Sequence, residues 1–167
     1  MYGEMSRLSF ELPAGVDEVF ALVTDEAHIT ARCEAFGETN IDVVRREEGD
    51  ETVVSCTRDV ALPIPSALRR VVSETNRVTD TKTWSGGAAK RCDFRAQVAG
   101  GRIEMGGTIS LDPAPGGARY TIEFGNRVDI AVVGRRIEQM LRRTMHEELT
   151  REAVFIRDAL AASRAGI

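Results

Sequence analysis

The chain has 167 residues, 43% hydrophobic and 29% charged, which is the balance of one globular domain (1–167) long enough to bury a core. Its 22 basic against 26 acidic residues leave a net charge of −4, which argues against a nucleic-acid partner, whose phosphates call for a basic excess. No charged-then-apolar leader opens the sequence and no run approaches the roughly 18 apolar residues of a membrane span, so a cytoplasmic protein is expected, with membrane contact at most transient and at the surface.

A first strand is expected over residues 5–12, where Leu8, Phe10 and Leu12 alternate with Ser9 and Glu11. Pro13 ends it, and the period changes: Val16, Val19, Phe20 and Val23 mark one face of a helix, with Asp17 and Glu18 in its first turn. Asp25 is placed to cap a second short helix carrying Ile29 and Cys33, and Gly37 to stop it. Six more strands are expected at 39–46, 51–60, 77–85, 90–99, 102–112 and 118–130, separated by turn signals such as Gly49-Asp50, Gly86-Gly87, Gly100-Gly101 and Gly116-Gly117.

Within those strands Cys92, Phe94, Ala96 and Val98, then Ile103, Met105, Gly107, Ile109 and Leu111, then Tyr120, Ile122 and Phe124 form apolar rows. Their neighbours Asp93, Arg95, Gln97, Glu104, Thr121 and Glu123 are polar, which predicts one solvated sheet face. Residues 60–72 interrupt the meander. Pro63 and Pro65 forbid a central strand, and Ser66 is placed to cap a short helix with Leu68, Val71 and Val72 on one side and Arg69 and Arg70 on the other. Over 133–162 a proline-free stripe of Ile137, Leu141, Met145, Leu149, Ala153, Ile156 and Leu160 predicts a helix about 45 Å long. Only a sheet is wide enough to receive it.

Chemistry-bearing motifs are sparse. Cys33, Cys56 and Cys92 lack the spacing of a metal knuckle or redox motif and read as reduced core thiols, so neither metal nor cofactor is implied. His146-Glu147-Glu148-Leu149-Thr150 begins like a zinc-protease helix, but Thr150 stands where the second histidine is required, which leaves His146 as a surface residue beside the apolar stripe. His28 is the other histidine, and no serine sits in a nucleophile elbow.

The order of strand, two short helices, six strands and one long helix resembles the α+β helix-grip fold of the START-like, Bet v 1-like (SRPBCC) superfamily, about seven curved antiparallel strands around a long C-terminal helix. Three stretches resemble more narrowly an actinobacterial family of unknown function, DUF2505. They are Val16-Asp17-Glu18-Val19-Phe20-Ala21-Leu22-Val23-Thr24-Asp25 with Ala35-Phe36-Gly37, then Thr81-Lys82-Thr83-Trp84, then Val128-Asp129-Ile130-Ala131-Val132-Val133-Gly134-Arg135-Arg136-Ile137-Glu138, where Ala131 stands in place of a family proline. The superfamily resemblance implies a cavity between sheet and helix for a lipid or other apolar small molecule; some members are cyclases or aromatases.

On that expectation the cavity is lined by Trp84, Phe94, Met105, Tyr120, Leu141, Met145 and Leu149, with Ala96 and Gly107 leaving volume. The same residues also suit a filled core with methionine as packing. Arg58 shares strand parity with Val54 and Cys56; facing inward, it either meets a ligand's anionic group or is neutralised by Asp59 or a nearby glutamate. Leu62, Ile64 and Leu68 are candidates for a gate, with Arg69 and Arg70 facing a membrane surface; an ordinary packed connection is the alternative. The leading functional expectation is a non-catalytic carrier or sensor of an apolar ligand. A polyketide cyclase or aromatase-like enzyme in the same cavity is the alternative, and a ligand-free interaction module the third.

Overall fold

A computed structural model describes residues 2–166. In chain order the elements are β1 (Ser6–Leu12), α1 (Val16–Val23), α2 (Glu26–Ala35), β2 (Thr39–Glu48), β3 (Glu51–Ala61), a single 3-10 turn (Ser66–Leu68), β4 (Thr75–Gly86), β5 (Lys90–Val98), β6 (Ile103–Ala114), β7 (Gly117–Val128) and α3 (Gly134–Arg164). The strands form one sheet of seven in the order β1-β7-β6-β5-β4-β3-β2, every neighbouring pair antiparallel. Strands β2 to β7 meander, and β1 closes against β7, so α1 and α2 carry the chain from one edge of the sheet to the other.

The expected helix signals operate. The Asp25 carboxylate accepts the His28 backbone N–H at 2.9 Å. At the far end Gly37 takes φ +77°, and the N–H groups of Gly37 and Glu38 return to the carbonyls of Glu34 and Cys33, both at 3.0 Å. This Schellman closure satisfies two orphan carbonyls and turns Glu38 back under α2. Ser66 does not cap. Pro65 holds the cap position, Ser66 is the first residue of the turn, and the segment tightens into three residues rather than a true helix.

Strand register sorts the inward rows. One runs Trp84, Cys92, Ile109, Ile122 and Leu8; the next Val54, Lys82, Phe94, Gly107 and Phe124; the next Cys56, Asp80, Ala96 and Met105. The α3 stripe covers them, with Ile137, Leu141, Ala153, Ile156 and Leu160 buried. The core divides in two. Trp84, Phe94, Ile109, Tyr120, Phe124, Ile156 and Leu160 pack with α1 at one end, and Ile64, Leu68, Val72, Val98, Ile137 and Leu141 pack at the other. Between them Met145 and Leu149 are only partly buried. Gly107 does not leave the inward volume expected of it: a Cβ there would collide with the Glu123 carbonyl, so the missing side chain serves the close approach of β6 to β7.

The outer face departs from the expected solvated surface. Tyr2 lies over the bare backbone of Gly106 and Gly125, where added Cβ atoms would strike it. Glu104, only 4% exposed, accepts the Tyr2 hydroxyl at 2.8 Å, two Arg95 N–H groups at 2.7 and 2.9 Å and Arg127 at 3.0 Å. Thr121 is also buried. Alternation assigns a face but not what the chain's own N-terminus lays over it.

The Arg95 hydrogen bonds first, and then those from Tyr2 and Arg127, hold the Glu104 carboxyl down at about 2. A depressed carboxylate contributes stability above its ordinary range and loses it as the pH falls toward that value. Because both arginines are about half exposed, the expected contribution is discounted to about 1 kcal/mol. Glu104→Gln is therefore expected to lower stability by about that amount at pH 7. The gap should shrink as urea midpoints are followed from pH 4.5 toward 2.

Candidate functional site

The inward side of β3 and β4 is not apolar. Antiparallel register aligns Arg58 with Val78, Cys56 with Asp80, and Val54 with Lys82. Three carboxylates answer three cations there. Lys82 Nζ lies 3.1 Å from Asp80 Oδ2. Glu38, delivered by the turn after α2, receives Arg58 Nε at 3.2 Å and has Arg32 at 3.7 Å. Glu152 comes from α3 and lines the same recess as Arg32, Asp80 and Lys82.

The field fits this arrangement. Burial opposes the charge on Lys82, but Asp80 and Glu152 more than offset it and hold the ammonium above its ordinary range. The same balance, with Glu152 and Glu38 among the counter-charges, keeps Arg32 firmly cationic. Burial pushes the Tyr120 hydroxyl up, reinforced by Glu152. Burial pulls the His28 imidazole down, only partly countered by Glu152 and Asp25, which favours the neutral ring.

These groups surround a recess walled by Val23, His28, Ile29 and Arg32 from the helices, Val54, Cys56, Asp80, Lys82, Trp84 and Tyr120 from the sheet, and Glu152 from α3. Counted out to solvent it spans about 490 Å³, but only about 20 Å³ admits a water-sized sphere, enough for a water molecule or two. A second recess, about 270 Å³ counted out to solvent but with room inside for no more than a single water, shares part of its wall and is lined by Phe10, Leu12, Ile122, Leu149, Ala153 and Ile156. Tyr120 and Glu152 border both. Two polar atoms at the first recess, Trp84 Nε1 and Asp80 Oδ1, are buried with no hydrogen-bond partner among the described residues. Buried polar groups are normally satisfied, so this donor and this acceptor are exceptions to that rule.

Aromatic contacts brace the roof. Phe155 of α3 meets His28 at 5.4 Å and Phe36 at 6.2 Å between centroids, with Arg151 stacked 4.2 Å from the Phe36 ring. Phe20 of α1 meets Trp84 edge-on at 5.6 Å.

The structure brings together some of the sequence candidates and separates others. Trp84 and Tyr120 line one recess, and Tyr120 and Leu149 the other. Phe94 and Met145 pack in the adjoining core, whereas Met105 and Leu141 belong to the opposite cluster with Leu62, Ile64 and Leu68. Arg58, whose direction the sequence left open, is largely buried and neutralised by Glu38. His146 is exposed. Asp80, Lys82, Arg32 and Glu152 were missed. The first two stand in the Val78, Asp80, Lys82, Trp84 alternation, a signal that could have found them; Arg32 and Glu152 carry no such mark.

A seven-stranded antiparallel sheet around a long C-terminal helix, with two short helices linking its edge strands, is the START/Bet v 1-like helix-grip fold. TTHA0849 from Thermus thermophilus superposes with a TM-score of 0.67 at 17% identity, covering 96% of this chain and 99% of its own. A START superfamily protein from Mycobacterium smegmatis gives 0.58 at 14% identity, covering 93% and 97%, and Ara h 8.0201 gives 0.59 at 11%, covering 95% and 98%. At such identities the likeness is one of fold. Residues 7–160 match the family described as "Protein of unknown function (DUF2505)", and the chain belongs to that family. No curated protein matches it.

Removing one partner of an inward ion pair strands the other. Lys82→Met is expected to cost about 2–3 kcal/mol, below the full cost for a buried pair because a quarter of the Lys82 side chain stays accessible. Asp80→Asn combined with Lys82→Met should recover most of that loss in chemical denaturation.

Proposed function

We propose that the protein binds an amphipathic small molecule or lipid, non-catalytically, as a carrier or sensor. The polar end would sit among Lys82, Asp80 and Trp84, and the apolar body against Phe10, Ile122 and Leu149. One observation carries the reading: a polar and an apolar recess share Tyr120 and Glu152 in their walls. Either recess alone is too small for such a ligand, so binding requires these two side chains to swing aside and merge the spaces.

In this reading Phe94 and Met145 back the merged cavity. Leu62, Ile64 and Leu68 act as a gate at the opposite end, lifting from Met105 and Leu141. Arg69 and Arg70 are exposed beside it, fit to touch an anionic membrane surface in passing. No helix among the described residues is long and apolar enough to cross a membrane.

The convergence of an ammonium, an indole N–H, a phenol and carboxylates at depth also favours a second reading. A cyclase or aromatase-like enzyme would use them to hold a polyketone and move protons along it.

Mass spectrometry of an organic extract of natively purified protein, against a denatured control, tests the first reading. A near-stoichiometric lipid or amphiphile is the expected result. A clean extract, with no change in Trp84 fluorescence on titration with a long-chain fatty acid, a fatty alcohol and phosphatidylglycerol vesicles, would overturn it. For a ligand so identified, Trp84→Phe removes the indole donor and is expected to weaken binding about tenfold. Turnover of a synthetic polyketone to a cyclised product would establish the enzyme instead.

A further inference from the structure

The polar wall of the grip contains two thiols that ligand binding does not require. Cys33 of α2 and Cys56 of β3 are both free and buried, with their sulfurs 3.8 Å apart, close enough for one thiol to donate to the other. An Arg32 N–H lies 3.1 Å from Cys33 Sγ, and Arg58 donates to the Cys56 carbonyl at 3.4 Å. Glu38 engages both guanidinium groups, so their positive charge stays beside the sulfurs. Cys56 also lines the recess that admits a molecule of about water's size.

We propose that Cys33 and Cys56 form a peroxide-reactive dithiol, with Cys56 as the attacking thiolate and Cys33 as the resolving thiol. Hydrogen bonding with Cys33, then the charges of Arg58 and Arg32, bring the Cys56 thiol down to about 7 against the opposing effect of burial. The hydrogen bond with Cys56, and then burial, push the Cys33 thiol up. Cys92 is an internal control: burial pushes it up to about 12, and its thiol only meets the Asp93 carbonyl at 3.4 Å.

The reaction balances with a hydroperoxide as oxidant. The Cys56 sulfur attacks one oxygen of hydrogen peroxide, the O–O bond breaks, and the departing hydroxide takes a proton to leave as water. Cys56 is now a sulfenic acid. The Cys33 sulfur then attacks the Cys56 sulfur while its proton goes to the departing hydroxide, giving a second water and a disulfide. Two thiols are oxidised by two electrons, and one peroxide is reduced to two waters. Closing the sulfurs to bonding distance draws them together by roughly 2 Å, which side-chain rotation and a small approach of α2 to β3 can supply.

The test uses the full reduced chain at pH 7.5, exposed to hydrogen peroxide, quenched with catalase, denatured, alkylated with N-ethylmaleimide and mapped by peptide mass spectrometry. The expected result is a linked peptide pair containing Cys33 and Cys56, lighter by two hydrogens, with Cys92 still alkylated and lost at least about tenfold more slowly. In Cys33→Ser, dimedone is expected to trap a sulfenic acid at Cys56; in Cys56→Ser, Cys33 is expected to remain alkylatable. The proposal is overturned if all three wild-type thiols oxidise at one rate. It is equally overturned if Cys33 and Cys56 remain alkylatable, or if their link forms only in denaturant. The wild-type peptide map decides the matter even if a variant fails to fold.

Discussion

The pairing of β3 with β4 is the constraint on which the interior depends. With Cys56 opposite Asp80 and Val54 opposite Lys82, the sheet sends Arg58, Asp80 and Lys82 into the space beneath α3. Charges taken out of water must be neutralised where they stand. The rest of the architecture supplies the partners. The turn that ends α2 brings in Glu38, α2 itself brings Arg32, and α3 brings Glu152. A one-residue slip of β4 against β3 would carry Asp80 and Lys82 to the outer face and remove the ammonium that Glu152 acts on, so electrostatics and register enforce each other.

That arrangement divides the grip into regions of different character. At one end Ile137, Leu141, Ile64 and Leu68 make a dry apolar cluster. At the other, Ile109, Phe124, Ile156 and Leu160 pack as a core, and beside them the polar wall opens into two adjoining recesses. An apolar cavity would favour any greasy ligand of the right size. Here the wall instead carries the paired Lys82 and Asp80 beside the Trp84 indole, whose N–H has no partner among the described residues.

The cluster also joins two kinds of chemistry in one place. The guanidinium groups that balance Glu38 are the same ones that lie beside Cys33 and Cys56. Helix α2 carries Cys33 together with His28, Ile29 and Arg32, which wall the recess. Any displacement of α2 therefore reshapes both the thiol pair and the polar wall.

By itself the sequence determined the elements and their order. Period-two rows such as Cys92, Phe94, Ala96 and Val98, the seven-residue stripe of the last helix, the Asp25 cap and Gly37 are local signals that each residue's neighbours in the chain suffice to express. Local signals also placed Arg58 on one strand parity with Val54 and Cys56, without fixing which way that row faces, and set Tyr120 at the head of an apolar row. Only the tertiary structure decided which of these meet. Asp80 and Lys82 became a site through pairing with β3 and burial under α2 and α3, and Glu152 joined them across more than sixty residues of chain. The contact between Cys33 and Cys56, and the burial of Glu104 beneath Tyr2, likewise bring together residues far apart in sequence. Such contacts depend on where whole elements pack, and periodicity carries no record of that.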